Sequence, residues 1–168
     1  MSTTTKPTLA AKAGQKGIDP RSPRFGAGIT GVLLLVVIGL NLGLASPVPS
    51  IVLFALITAL FAWGAFAGVQ RHPYGALYRA LVRPRLAPPT ELEDPVPPTF
   101  AQGVGFVITL VGLVLGLGGV PLAIVVAASF AFVAAFLNSV FAYCLGCQIY
   151  LLLVRAGVLG RSRGAAAA

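Results

Sequence analysis

Four long apolar runs dominate this chain and leave it few ways to fold. The first extends from Gly26 to Ala45 and closes on Ser46-Pro47-Val48-Pro49. The second covers Ile51 to Val69 and closes on Gln70-Arg71-His72-Pro73. The third covers Phe100 to Gly118, and Gly119-Val120-Pro121 turns it around. The fourth starts at Pro121 and meets no charge until Arg155. About 20 residues of helix cross a hydrocarbon core of roughly 30 Å. A backbone in lipid must satisfy its own N–H and C=O groups, which leaves helices or a closed barrel. No period-two alternation supports a barrel. The expected fold is therefore all-α, a polytopic membrane four-helix bundle with spans at about 26–45, 51–69, 100–118 and 121–145. Composition agrees. The chain is 57% hydrophobic and 10% charged, against roughly 25% charged in a soluble domain. So few charges cannot keep a surface wet, and the surrounding solvent must be largely a lipid bilayer.

The flanks set orientation. Residues 1–17 form a basic tail without periodicity, expected to be disordered. The transmembrane domain is expected over residues 18–158, with a link over 70–99 and a second tail over 159–168. Lys6, Lys12, Lys16, Arg21 and Arg24 precede the first span. Arg71, Arg79, Arg83 and Arg85 lie in the link, and Arg155, Arg161 and Arg163 near the C-terminus. The two tight turns carry no charge. All 12 basic residues thus fall on one side, which the positive-inside rule makes cytoplasmic, together with both termini. The same placement explains the net charge of +8 through topology and anionic lipid, and argues against a nucleic-acid partner.

The chain reads as two helical hairpins in a parallel internal repeat. Pro23-Arg24-Phe25-Gly26-Ala27-Gly28 parallels Pro98-Thr99-Phe100-Ala101-Gln102-Gly103. Tyr74-Gly75-Ala76-Leu77-Tyr78-Arg79-Ala80 is matched with Tyr150-Leu151-Leu152-Leu153-Val154-Arg155-Ala156. Two units entering from the same side would be related by an axis along the membrane normal. Short interfacial helices are expected after spans two and four. The pairs Gly39/Gly43, Gly64/Gly68 and Gly112/Gly116, with Ala127, Ala131 and Ala135, are expected to let helices approach closely within the bundle.

One motif suggests chemistry, Cys144-Leu145-Gly146-Cys147. Two cysteines placed at random would fall three apart in about 1–2% of such chains. On a helix, residues three apart share a face. A thiol redox pair is one reading, requiring a low-pKa thiolate. A zinc site needs four ligands, and the chain offers at most Cys144, Cys147 and His72. Covalent haem needs a histidine where Gln148 stands. Two small residues packing a helix is the bland alternative. No metal and no cofactor is assigned.

Position favours thiol chemistry. From Pro121 to Val154 a continuous helix would be about 50 Å long, too long for one crossing. By analogy with His72-Pro73, span four should break within about three residues of Gly146, with Gly146 taking up the unusual backbone angles. A cysteine in the first turn after the break would have its thiolate stabilised by the helix N-terminus. His72, at the equivalent place, is a candidate base for a thiol. Asn41 and Asn138 lie inside apolar spans and are expected to bond across helices.

Several stretches together resemble a known bacterial membrane family, domain of unknown function 4395. They are Ile18-Asp19-Pro20-Arg21 with Arg24-Phe25, and His72-Pro73-Tyr74 with Arg83-Pro84-Arg85-Leu86. They continue as Pro97-Pro98 with Phe100-Ala101-Gln102-Gly103, and Cys144-Leu145-Gly146-Cys147 with Tyr150. Thr99 departs from the pattern, where an arginine is expected. The resemblance implies a four-helix bacterial membrane protein with no established activity. Its members are often encoded near thioredoxin-like proteins or sulfurtransferases, which implies a cytoplasmic partner of that kind. The resulting expectation is a thiol-redox or sulfur-relay component using Cys144 and Cys147. The alternative is a non-enzymatic permease for a sulfur species, or a membrane scaffold for a soluble partner. The sequence does not specify the oligomeric state.

Overall fold

A computed structural model describes residues 17–43 and 46–159. Apart from Gly17 and Leu159, the two expected tails lie outside the described residues. Helix α1 runs Arg21–Gly43, α2 Val48–Ala67, α4 Val96–Leu117 and α5 Ala123–Phe141. A short α3, Pro73–Leu77, follows α2 and continues as a π turn over Tyr78–Val82. An 11-residue α6, Leu145–Arg155, follows α5. All four long helices are long and apolar enough to cross a membrane. Only 11–28% of each one's most apolar window is buried inside the molecule. Phe66, Phe130 and Leu117 are 81%, 67% and 64% exposed. In water that surface would aggregate; in lipid it is matched to its solvent. The protein is an all-α, multi-pass membrane bundle.

The long helices form a ring. Helix α1 packs against α2 and most extensively against α5; α4 packs against α5 and most extensively against α2. Exchanging α1 with α4 and α2 with α5 leaves this pattern unchanged, as two parallel hairpin units require. The end of α1 and the start of α2 lie at one end of the bundle, as do the end of α4 and the start of α5. The starts of α1 and α4, the ends of α2 and α5, and both short helices share the other, basic end. The core, centred on Leu34, Phe54, Ile57 and Ala128, lies among α1, α2 and α5.

Small residues do bring helices together, though not all those expected. A methyl on Gly112 would collide with Ala127, and one on Gly116 would come within 2.6 Å of Ile124, so α4 and α5 approach closely there. Gly64 of α2 receives the Gln102 side chain of α4. Gly39 and Gly43, by contrast, have nothing within 4 Å. They lie on an open face of α1 and pack no helix, because the ring turns that face outward.

Helix α5 stops at Phe141 and α6 starts at Leu145, so the long apolar run is broken at Ala142–Cys144. Ala142, not Gly146, takes the left-handed conformation, at φ 56° and ψ 24°. Gly146 is helical, in the first turn of α6. A Cβ there would lie 2.5 and 2.6 Å from Cβ and Cα of Ala101, so its hydrogen side chain lets α6 rest directly on α4. The glycine is needed for close approach rather than for backbone freedom.

Candidate functional site

The two short helices begin in the same way. His72 is the N-cap of α3, and its Nδ1 accepts from the backbone N–H of Tyr74 at 3.2 Å. Cys144 is the N-cap of α6, and its Sγ accepts from the backbone N–H of Cys147 at 3.3 Å. Helix N-termini carry unpaired N–H donors, and each cap satisfies one. Further along, Phe25 of α1 meets Tyr78 with ring centroids 5.9 Å apart, and Phe100 of α4 meets Tyr150 at 5.6 Å. These pairings correct the register of the internal repeat. Tyr150 corresponds to Tyr78, one turn beyond the Tyr74 matched from sequence. In this register His72-Pro73-Tyr74-Gly75 occupies the slot of Cys144-Leu145-Gly146-Cys147, and Tyr78 through Arg83 aligns with Tyr150 through Arg155.

Cys144 and Cys147 are joined as a disulfide, with Cα atoms 5.2 Å apart. Cys147 is 3% exposed; Cys144 is only half-buried. The N-cap sulfur lies beside the N–H of Cys147 and at the positive end of the α6 dipole. Both favour its thiolate. Among the described residues no group of three His, Cys, Asp or Glu side chains is arranged to hold a metal.

His72 is committed elsewhere. It is 6% exposed, and its Nε2 lies 3.1 Å from the Leu60 carbonyl of α2. With Nδ1 accepting from Tyr74, Nε2 carries the proton and donates to Leu60. Both ring nitrogens are thus occupied. Burial holds the imidazole below its ordinary value of 6.5, against the opposing pull of the Leu60 carbonyl. A neutral, doubly bonded histidine fits a structural clasp between α2 and α3.

A cavity of about 900 Å³ opens between the two units at the basic end, lined by both cysteines and by His72. Asp19, Arg24, Arg79, Arg83 and Glu93 line its mouth. The segment before α1 closes over it: Ile18 and Glu93 exchange backbone hydrogen bonds of 2.9 Å, and the Tyr78 hydroxyl donates to Asp19 at 3.0 Å. Burial raises the Glu93 carboxyl above its usual range, against the nearby Arg24 guanidinium. Deeper in, the walls are apolar, from Phe61, Val104, Ile108 and Phe130. Ile108 is about 18 Å along α4 from its start, at 1.5 Å per residue, so the cavity extends well into the membrane-spanning part.

Three amides also line this space, Gln70 before α3, Gln102 on α4 and Asn138 on α5. Asn41 makes a bond of the expected kind: its Nδ2 donates to the Ser50 Oγ at 2.9 Å, across the α1–α2 turn. Asn138 does not bond across helices. It lines the cavity, as does Gln102, and among the described residues neither amide has a hydrogen-bond partner. Gln102 looks in sequence like part of a helix-entry motif; its place in the third apolar run was the available signal. Arg24 reaches the same wall, where its guanidinium donates to the Ser139 carbonyl at 3.3 Å. Thr99, the departure from the family pattern, accepts from the Val69 N–H at 3.3 Å and ties the α2 end to α4.

The chain matches the family model described as Domain of unknown function (DUF4395) over residues 18–155, and it belongs to that family. No curated protein and no solved structure matches it.

Proposed function

We propose that this member of the DUF4395 family is a membrane-embedded thiol–disulfide exchange protein, with Cys144 as the attacking and attacked sulfur and Cys147 as its resolving partner. The observation that carries this reading is the N-cap position of Cys144: half-buried, paired with a buried second cysteine, and hydrogen-bonded to the first turn of α6. Packing alone would not require a sulfur at a cap. In the reaction, a thiolate of a soluble dithiol protein attacks Cys144 Sγ. The Cys144–Cys147 bond breaks and Cys147 leaves as a thiolate, which takes a proton. The partner's second thiolate then attacks its own sulfur in the mixed disulfide and releases Cys144. Two electrons pass from the partner's dithiol to the Cys144–Cys147 disulfide. The basic residues around this end support a cytoplasmic position by the positive-inside rule, and a thioredoxin-like partner has the required dithiol. His72 has no part as a base in this scheme, because both its nitrogens are bonded.

The test is a trap. In Cys147→Ser, Cys144 is offered a dithiol protein that has lost its own second cysteine and carries a thionitrobenzoate on the first. Cys144 displaces the thionitrobenzoate, and with no resolving thiol on either side the mixed disulfide should persist through acid quenching, as a reductant-sensitive adduct on a non-reducing gel. The double variant Cys144→Ser with Cys147→Ser should show none. Absence of any adduct, together with a Cys144 thiol that alkylates only at or above the ordinary thiol pKa of about 8.5, would overturn the reading.

A further inference from the structure

We infer that the cavity beside the cysteine pair is a binding site for a lipid-soluble quinone, which accepts the electrons delivered to Cys144 and Cys147. The inference rests on the exchange function proposed above and supplies what that function lacks. The chain has 2 cysteines, so a reduced pair must pass its electrons to something other than a second thiol pair of its own. The acceptor must reach the sulfurs, and the cavity is the space both of them line.

Size selects the class. At about 900 Å³, the cavity lies at the upper end of the range for organic ligands, roughly 300–1,000 Å³. It is far larger than sulfide, a persulfide or thiosulfate would need. Its chemistry narrows the choice. The inner wall is apolar, and Phe130 both lines it and is 67% exposed on α5, so the chamber borders the lipid. Only this side chain then separates that part of the chamber from the acyl chains, and a ligand entering from the bilayer would pass it. Within a membrane-spanning wall an amide without a partner is costly. Gln102 on α4 and Asn138 on α5 are two such amides, converging on one space. Their N–H groups suit the carbonyl oxygens of a flat, uncharged ring, and their carbonyls suit the hydroxyls of its reduced form. Arg24 adds a cation to the same wall, where it favours the negative charge that develops on a quinone oxygen during reduction. The redox step balances: Cys144 and Cys147 lose two protons and two electrons as the S–S bond forms, and the quinone's two carbonyls become two hydroxyls.

The experiment uses the full chain in lipid nanodiscs and decylubiquinone, whose fully substituted ring resists thiol addition. Reduced, desalted protein under nitrogen should convert one quinone per cysteine pair. The double variant Cys144→Ser with Cys147→Ser should convert none yet still bind decylubiquinone saturably in equilibrium dialysis. Gln102→Leu and Asn138→Leu should each weaken that binding by about three- to tenfold, and Ala134→Phe, which enlarges a small side chain of the α5 lining, should abolish it. Should Ala134→Phe fail to fold, the two amide variants still decide. Three outcomes overturn the inference: no saturable binding, binding indifferent to both amides, or a co-purifying phospholipid that decylubiquinone cannot displace. Binding without turnover in the wild type overturns the electron-acceptor role if the mixed-disulfide trap succeeds; if the trap fails as well, the exchange reading falls and the quinone-binding cavity stands.

Discussion

The two elbows at the basic end share a geometry and differ in chemistry. After α2, the chain turns at Gly68, passes through Val69–Arg71 and caps α3 with His72. After α5, it turns at Ala142 and caps α6 with Cys144. Each cap accepts a backbone N–H of its own first turn. In the first unit the third helical position is Gly75 and the cap is an imidazole whose nitrogens are both used. In the second the same positions hold two sulfurs, one buried and one half-buried. The cap position is thus a structural slot that any acceptor can fill. The slot becomes reactive only when the acceptor is a nucleophile with a partner one turn along.

The sharpest way to break this comparison is at the glycines of the two first turns. Gly146→Val should be the most damaging change, because its Cβ meets Ala101 backbone and α6 must lift off α4. Overpacking of this kind costs about 1–3 kcal/mol or more, and it should also lower Cys144 reactivity by displacing the cap. Gly75→Ala should be nearly silent, since the nearest atoms to its Cβ are 3.5 Å away. Thermal unfolding in one detergent compares the two; equal losses would show that α6 does not depend on this contact.

A second, smaller pair concerns the turns. Gly68 has φ 83° and ψ 150°, a region open essentially to glycine, so Gly68→Ala should destabilise by about 1–3 kcal/mol. Ala142 is left-handed at a cost glycine does not carry, so Ala142→Gly should stabilise the elbow by up to about 1 kcal/mol. The opposite signs are the prediction, read as shifts in unfolding midpoint. Two shifts of the same sign would mean that the turns are not alike in strain.

The smallest effect sharpens the role of His72. Because the chain has 1 His, its imidazole NMR signals can be followed without ambiguity. The midpoint should fall below 6.5, burial being the main cause. The neutral form is the one the fold favours, so this contribution to stability is present above pH 6.5 and is lost as pH falls through the depressed midpoint. His72→Asn, which keeps a cap acceptor but cannot titrate, should remove that acid-side loss. An undisplaced or raised midpoint would release His72 from its clasp and restore it as a candidate base.

Much of the architecture was written locally. Hydropathy along the chain identifies helices able to cross a membrane, and the uncharged run after Pro121 is too long to be one straight crossing. Those inferences need only helix rise and the cost of bare backbone in lipid. They do not say which way a helix face turns. Asn41 and Asn138 look alike in sequence, yet one bonds to Ser50 and the other faces a cavity. Gly112 and Gly39 belong to similar small-residue pairs, yet only Gly112 meets another helix. Gly146 seemed suited to a turn, but the turn is made by Ala142 and the glycine is needed by Ala101, far away in sequence. By itself the sequence determined the number of apolar helices, the side on which the basic residues gather, the break before α6 and the cysteine pair. Tertiary structure alone decided the repeat register, the double engagement of His72 and the meeting of Gln102 and Asn138 on one wall. The reason is that hydropathy and caps act over a few neighbouring residues, whereas a cavity is defined by how separate helices rotate and settle against one another.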